Sequence, residues 1–299
     1  MKLPQHMDLT NKTIIKDLLK KHRTGPEKYL GQHFILSKKA LAQMVAAAEI
    51  KKNDTIIEIG PGFGTLTQEL AKTGAKITAI EKDPKMINIL GETLAGHKNI
   101  KIIQADARNL WVSETYKFGD NLGIRIAKNK YKIVANLPYN IATFLIRQWL
   151  ELKNPPKLMV LMIQKEVAQR ICPPSLKLRR VNAKLLKLNL LSISVQFFAD
   201  AKIIGYVPKE LFYPRPKVDA AIIKIVPKEK IPEKTRKAFF AVVKAGFSHP
   251  RKQLVGNLVK KLNLPKEKLL PIFQDLDIPE RARAENLSLE QWFSLADSL

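Results

Sequence analysis

Four consecutive residues, Asn136-Leu137-Pro138-Tyr139, combine the groups needed to handle an exocyclic amine. The Asn136 amide oxygen and the Leu137 carbonyl are hydrogen-bond acceptors, Pro138 stiffens the backbone beside them, and Tyr139 offers a ring face. An adenine N6 amine is a poor nucleophile because its lone pair is delocalised into the ring. Two acceptors that each take one N6 hydrogen turn that lone pair toward an electrophile, and an extruded base stacked on tyrosine gains roughly 1–3 kcal/mol. The same four residues also suit an ordinary turn, so their meaning depends on what precedes them.

Upstream stands Glu58-Ile59-Gly60-Pro61-Gly62-Phe63-Gly64, between a predicted strand and a predicted helix. The dinucleotide fingerprint needs its third glycine three residues after its second, where this chain has Thr65. Glycines at every second position instead resemble motif I of methyltransferases. A glycine run alone also serves a plain strand-to-helix turn. Glu81 and Asp106 end the next two predicted strands, where a carboxylate can accept hydrogen bonds from ribose hydroxyls and from an adenine amine. Ligands of open α/β sheets bind at the carboxyl ends of the strands, so three such features at successive strand ends weigh more than any one of them. The chemistry implied is positioning plus electrostatics: in-line attack on a carbon activated by positive sulfur, with S-adenosylmethionine as cofactor and no obligate base, metal or covalent intermediate.

These residues need a parallel sheet to bring them together. Apolar runs predict strands over 55–59, 76–80, 100–104, 133–135 and 158–163, alternating with helices over 65–72, 84–94 and 142–152, which implies right-handed βαβ crossovers. A basic amphipathic helix is predicted over 10–22, and a second helix through Leu41, Met44 and Ala48. Beyond 163, residues 192–198 and 220–226 read as strands with no crossover helix between them, so an antiparallel end to the sheet is expected. A linker rich in Pro and charge over 227–234 then leads into a helical tail. The expected architecture is a mostly parallel α/β domain over 1–228 and a small helical domain over 229–299.

Charge narrows the partner. With 52 Lys and Arg against 27 Asp and Glu the chain carries +25, which suits a polyanion and above all nucleic acid. Cys172 is the only cysteine, which excludes an intrachain disulfide and a cysteine-based zinc site, and His6, His22, His33, His97 and His249 never fall at metal-ligand spacing. No metal is expected. The first eleven residues lack the apolar core of a signal peptide and no stretch reaches the length of a membrane span, so a cytoplasmic protein with no membrane contact is expected.

With these motifs in hand, the sequence resembles the ribosomal RNA small-subunit adenine dimethyltransferases over nearly its whole length. The matching blocks are Leu30-Gly31-Gln32-His33-Phe34, Glu58 to Gly62, Ala79 to Asp83, Asn136 to Asn140, Gln164 to Ala168, Phe212 to Asp219 and Ala245 to Lys252. The resemblance implies that residues 1–228 form a Rossmann-like methyltransferase domain and 229–299 a small helical RNA-binding domain, and it implies dimethylation of the N6 amines of two adjacent adenosines near the 3' end of small-subunit rRNA. It also implies a partly assembled small subunit as the partner, a link to subunit biogenesis and a monomeric protein. It assigns Gln32, His33 and Ile35 to the length of the cofactor, Gly60 to its methionine part, Glu81 to its ribose and Asp106 to its adenine, with Gly62 also counted among the cofactor-binding residues. Asn136 would touch cofactor and target, Leu137 would accept from the amine, and Tyr139 and Phe247 would sandwich the base. Arg215, Lys217, Arg251 and Lys252 look like phosphate contacts, although each also suits a solvated surface.

The chain departs from the family in three places. Residues 172–191 carry a basic stretch where a short turn is usual, residues 115–130 look like an enlarged basic connection, and Ser248-His249-Pro250 replaces the commoner Ser-Gln-Arg. Two rival readings remain open: a large-subunit rRNA adenine methyltransferase, and a non-catalytic nucleic-acid-binding factor on the same fold. The Leu of Asn136-Leu137-Pro138-Tyr139 and the 214–219 block argue against the first. The intact strand-end residues argue against the second.

Overall fold

The protein is described by a computed structural model that covers residues 7–109, 131–172, 188–229 and 231–299. The basic connection expected over 115–130, and residues 173–187 of the basic stretch, lie outside the described residues. The chain packs as two compact units, Met1–Ala168 with Ala201–Pro227, and Gln169–Asp200 with Lys228–Leu299.

The first unit is built on a seven-stranded sheet. In chain order its elements begin with α1 (Lys12–Lys21), β1 (Phe34–Ile35), α2 (Lys38–Ala47), β2 (Thr55–Ile59), α3 (Thr65–Ala71) and β3 (Lys76–Glu81). They continue with α4 (Pro84–Thr93), β4 (Ile100–Gln104), β5 (Tyr131–Asn136), α5 (Ala142–Leu150), β6 (Leu158–Gln164) and α6 (Lys165–Ile171). After α7 (Leu190–Phe198) come β7 (Ala199–Val207), β8 (Phe212–Tyr213) and β9 (Ala220–Pro227). The sheet order is β4-β3-β2-β5-β6-β9-β7. The five strands from β4 to β6 pair in parallel, and β9 joins β6 antiparallel, with Met162 opposite Ile222. Neighbouring residues such as Ile56 and Ile57, or Ile133, Val134 and Ala135, are all buried, as a sheet covered on both faces requires.

Local chemistry sets the element ends. Asn11 caps α1 by accepting the Thr13 N–H at 2.9 Å, and Ile15, Leu18 and Leu19 then face Phe63, Met86 and Ile89. Asp83 caps α4 ahead of Pro84, whose missing N–H costs nothing in the first turn. Lys132, a charge in mid-strand, is buried because its ammonium donates to the Ala48 carbonyl at 2.9 Å and pairs with Asp54 at 2.8 Å. That charge is why the sequence pattern began β5 two residues late.

A short ladder follows no sequence periodicity: β1 pairs antiparallel with β8, Phe34 opposite Tyr213 and Ile35 opposite Phe212. It ties the 30–35 motif to the 212–219 block, about 180 residues away along the chain.

One expected strand is a helix. Residues 192–198 belong to α7, opened by a capping box in which Asn189 accepts the Ser192 N–H at 2.9 Å and the Ser192 hydroxyl accepts the Asn189 N–H at 2.8 Å. Ser-Ile-Ser-Val alternates like a strand, but the cap and burial on several sides of the turn overrule it. The strand follows directly as β7.

The second unit contains α7, α8 (Glu233–Gly246), α9 (Leu254–Leu262), α10 (Lys266–Asp275) and α11 (Leu289–Asp297). Its core joins Phe197, Phe239, Leu254, Leu258, Phe273 and Trp292, and the Phe197 and Phe239 rings stack with centroids 4.4 Å apart. This corrects the expected division into 1–228 and 229–299: residues 169–172 and 188–200 pack with the C-terminal helices because Phe197 and Ile193 supply part of their core.

Candidate active site

The parallel register brings the carboxyl ends of β2, β3, β4 and β5 to one edge, and the predicted residues gather there. The turn after β2 runs through left-handed backbone at Gly60 and Gly62. A side chain at Gly62 is excluded twice, by its φ of +57° and because a Cβ would stand 2.8 Å from the Phe34 ring. The Gly60 N–H donates to the Ile80 carbonyl at 2.9 Å, which fixes this turn to the end of β3.

Glu81 is the hub of that turn. Its carboxylate accepts the Gly62 N–H at 3.2 Å, and the N–H groups of Lys82 and Asp83 at 2.8 and 2.9 Å. Burial raises its pKa above the ordinary carboxylate range and the three N–H bonds oppose that rise. A carboxylate has about four lone-pair sites, so one remains for a hydroxyl.

The segment before β1 is pinned across the mouth. Gln32 accepts the Glu27 N–H at 2.8 Å and donates to Asp83 at 2.9 Å. His33 Nδ1 lies 2.7 Å from the Pro214 carbonyl, which only accepts, so Nδ1 carries the proton. Ile35 is buried in the core behind the cleft.

Asn136, the last residue of β5, donates its side-chain N–H to the His33 carbonyl at 2.9 Å. Since a carbonyl must face the amide nitrogen, the Asn136 oxygen is turned the other way and is left as an acceptor. Leu137 donates its N–H to the Met162 carbonyl at 3.1 Å, extending the β5–β6 ladder into the loop. The Tyr139 ring lies 5.6 Å from that of His33. Its hydroxyl is buried with no hydrogen-bond partner among the described residues, and burial, aided by Asp219, pushes its pKa to about 12.

Two further carboxyls line the cleft. Glu58 is 1% exposed with Oε2 unpartnered, and burial, with Glu81 adding to it, pushes its pKa to about 8. Asp106 is gripped by Arg108, whose Nε and terminal nitrogen lie 3.1 and 2.6 Å from its two oxygens, and by Lys82 at 3.1 Å. The Arg108 backbone N–H adds a fourth donor at 3.0 Å. This clamp holds the Asp106 carboxyl well below the usual carboxylate range.

Gln32, His33, Ile35, Gly60, Gly62, Glu81, Asp106, Asn136, Leu137 and Tyr139 thus line one cleft of about 260 Å³. Arg215 and Lys217 are exposed beyond β8, with Arg215 paired to Glu210. Phe247, Arg251 and Lys252 lie in the second unit: Phe247 closes α8 and stacks on Trp292 at 5.7 Å, while both basic residues are exposed. Sequence reasoning missed Tyr29, Lys82 and Arg108 as lining residues. Lys82 and Arg108 sit one and two residues from Glu81 and Asp106, a proximity that was the available signal. A glycine cradle beside the Glu81 carboxyl offers close approach and a free acceptor for the ribose of a nucleoside, which is what S-adenosylmethionine carries. Among the described residues no three His, Cys, Asp or Glu side chains form a metal-ligating group, and no helix is long and apolar enough to cross a membrane.

A parallel sheet with an antiparallel strand beside β6, a strand-end cleft and a separate helical unit define a Rossmann-like methyltransferase that uses S-adenosylmethionine. Solved structures share the fold: the 23S rRNA methyltransferase ErmE (TM-score 0.68, 22% identity, 89% of this chain and 99% of that one), and a dimethyladenosine transferase from Plasmodium falciparum (0.67, 24%, 88% and 95%). Residues 25–299 match the family model described as ribosomal RNA adenine dimethylase, and the chain belongs to that family. Curated proteins named ribosomal RNA small subunit methyltransferase A are similar to it: one from Dehalococcoides mccartyi is 38% identical over 94% of this chain and 90% of its own length, and one from Clostridium botulinum 36% over 95% and 98%.

Proposed function

We propose that this enzyme dimethylates the N6 amines of two adjacent adenosines near the 3' end of small-subunit rRNA, in the cytoplasm, on a partly assembled small subunit. The similarity to small subunit methyltransferases at 36–38% identity supports the choice of subunit. The observation that carries the chemistry is the Asn136 amide, fixed by the His33 carbonyl so that its oxygen accepts.

When bound, S-adenosylmethionine supplies a methyl carbon already activated by its positive sulfur. Glu81 holds the ribose, and the Gly60–Gly62 turn admits the methionine part where a side chain would block it. The Asn136 oxygen and the Leu137 carbonyl each take an N6 hydrogen and so aim the lone pair. Tyr139 stacks on the extruded adenine. Arg215, Lys217, Arg251 and Lys252 contact phosphates.

The test is transfer of labelled methyl groups to undermethylated small subunits, followed by digestion to nucleosides, with large subunits assayed in parallel. Label is expected in N6,N6-dimethyladenosine from small subunits, reduced roughly 100- to 1000-fold by Asn136→Ala. Binding without transfer would place the chain among non-catalytic RNA-binding factors, and label confined to large subunits would reassign the substrate.

A further inference from the structure

Among the described residues the most exposed large apolar side chain is Tyr29, at 72%. Scattered exposed apolar residues are ordinary, but this one lines the mouth of the active-site cleft. Its backbone is held: Tyr29 lies in a single 3₁₀ turn over Lys28–Leu30, and its carbonyl accepts the Asn140 side-chain N–H at 3.2 Å. Asn140 follows Tyr139 directly, and the next glycine, Gly31, is close enough to the loop that a Cβ there would meet Pro138 at 3.5 Å. A bulky aromatic is therefore anchored to the loop that would hold the target base, yet it contributes little to any core.

The surroundings favour a base as its occupant. Lys82 and Arg108 line this mouth, and Lys85 pairs with Glu27 at 3.0 Å. A solvent-facing ring among cations is how proteins hold single-stranded nucleic acid, with the ring stacking one base while the cations track the backbone. Flipping one adenosine unstacks its neighbour, which then needs a new partner.

We propose that Tyr29 is a stacking platform for the nucleotide adjacent to the flipped adenine. This deepens the reading of the site as an RNA adenine methyltransferase and rests on it. In a substrate with two adjacent adenosines, the ring holds one while the other occupies the cleft, so Tyr29 acts on substrate register and not on the transfer itself.

The experiment uses the full chain and undermethylated small subunits whose rRNA carries 2-aminopurine in place of one adenosine of the target pair. Wild-type protein should quench the 2-aminopurine on binding, and Tyr29→Ala should not. Tyr29→Ala should also raise KM for the subunit roughly 5- to 100-fold, with kcat and S-adenosylmethionine affinity little changed. Tyr29→Trp should restore both quench and KM, whereas a residue that only supports the 3₁₀ turn would not be rescued by a larger ring. Unchanged quench and KM in Tyr29→Ala would overturn the proposal, as would a KM rise matched by an equal loss of cofactor affinity. The quench reads stacking without turnover, so wild-type protein that quenches but transfers no methyl group would refute the proposed reaction while leaving the platform standing.

Discussion

Replacing Glu58 with Gln should stabilise the protein in alkali and leave it unchanged in mild acid. Glu58 lies at the end of β2 with one oxygen unpartnered, and its pKa rises from the ordinary 4.5 to about 8 because burial penalises its charge. Between those values the folded protein keeps a proton that the unfolded chain gives up, so the stability present below pH 4.5 is lost as pH rises toward 8. At about 1.4 kcal/mol per pH unit the upper bound is near 5 kcal/mol, and relaxation with water entry reduces the expected loss to about 2–3 kcal/mol. Glutamine fills the same volume and cannot ionise. Urea denaturation of wild type and Glu58→Gln from pH 5 to pH 9 should therefore show curves that coincide near pH 5 and separate to a plateau above pH 8. Glu81, also buried and raised, is common to both proteins, and its repulsion of the Glu58 charge is part of the difference measured. A difference that stays flat across this range would refute the reasoning, because it would mean that Glu58 is ionised in the folded cleft throughout.

Gly62→Ala should lower stability by about 1–3 kcal/mol, since the new Cβ meets both a φ of +57° and the Phe34 ring at 2.8 Å; denaturant midpoints measure it. Arg108→Ala should tighten S-adenosylmethionine binding several-fold by calorimetry, because four donors now occupy the Asp106 oxygens that the adenine amine would need. The same variant should leave the affinity for a cofactor analogue that lacks the adenine amine unchanged.

The sequence by itself determined the parallel sheet, the cleft at its strand ends and ten of the residues that line it, though not Tyr29, Lys82 or Arg108. Strand periodicity and glycine spacing are local properties, and Glu81 and Asn136 end strands whose register follows from the βαβ connection, with Asp106 two residues beyond β4. The helix at 190–198 was misread for a local reason too: alternation over Ser192–Val195 carries no record of which partner buries each residue, and the Asn189–Ser192 box decided the outcome. Tertiary structure alone decided three things. It paired β1 with β8, which sets the His33 carbonyl against Asn136 and so fixes the way that amide faces. It placed the Arg108 and Lys82 cations on Asp106, turning an expected free acceptor into a saturated one. And it packed residues 188–200 with the C-terminal helices, because an aromatic cluster that draws Phe197 to Phe239 and Phe293 is a long-range contact that no periodicity records.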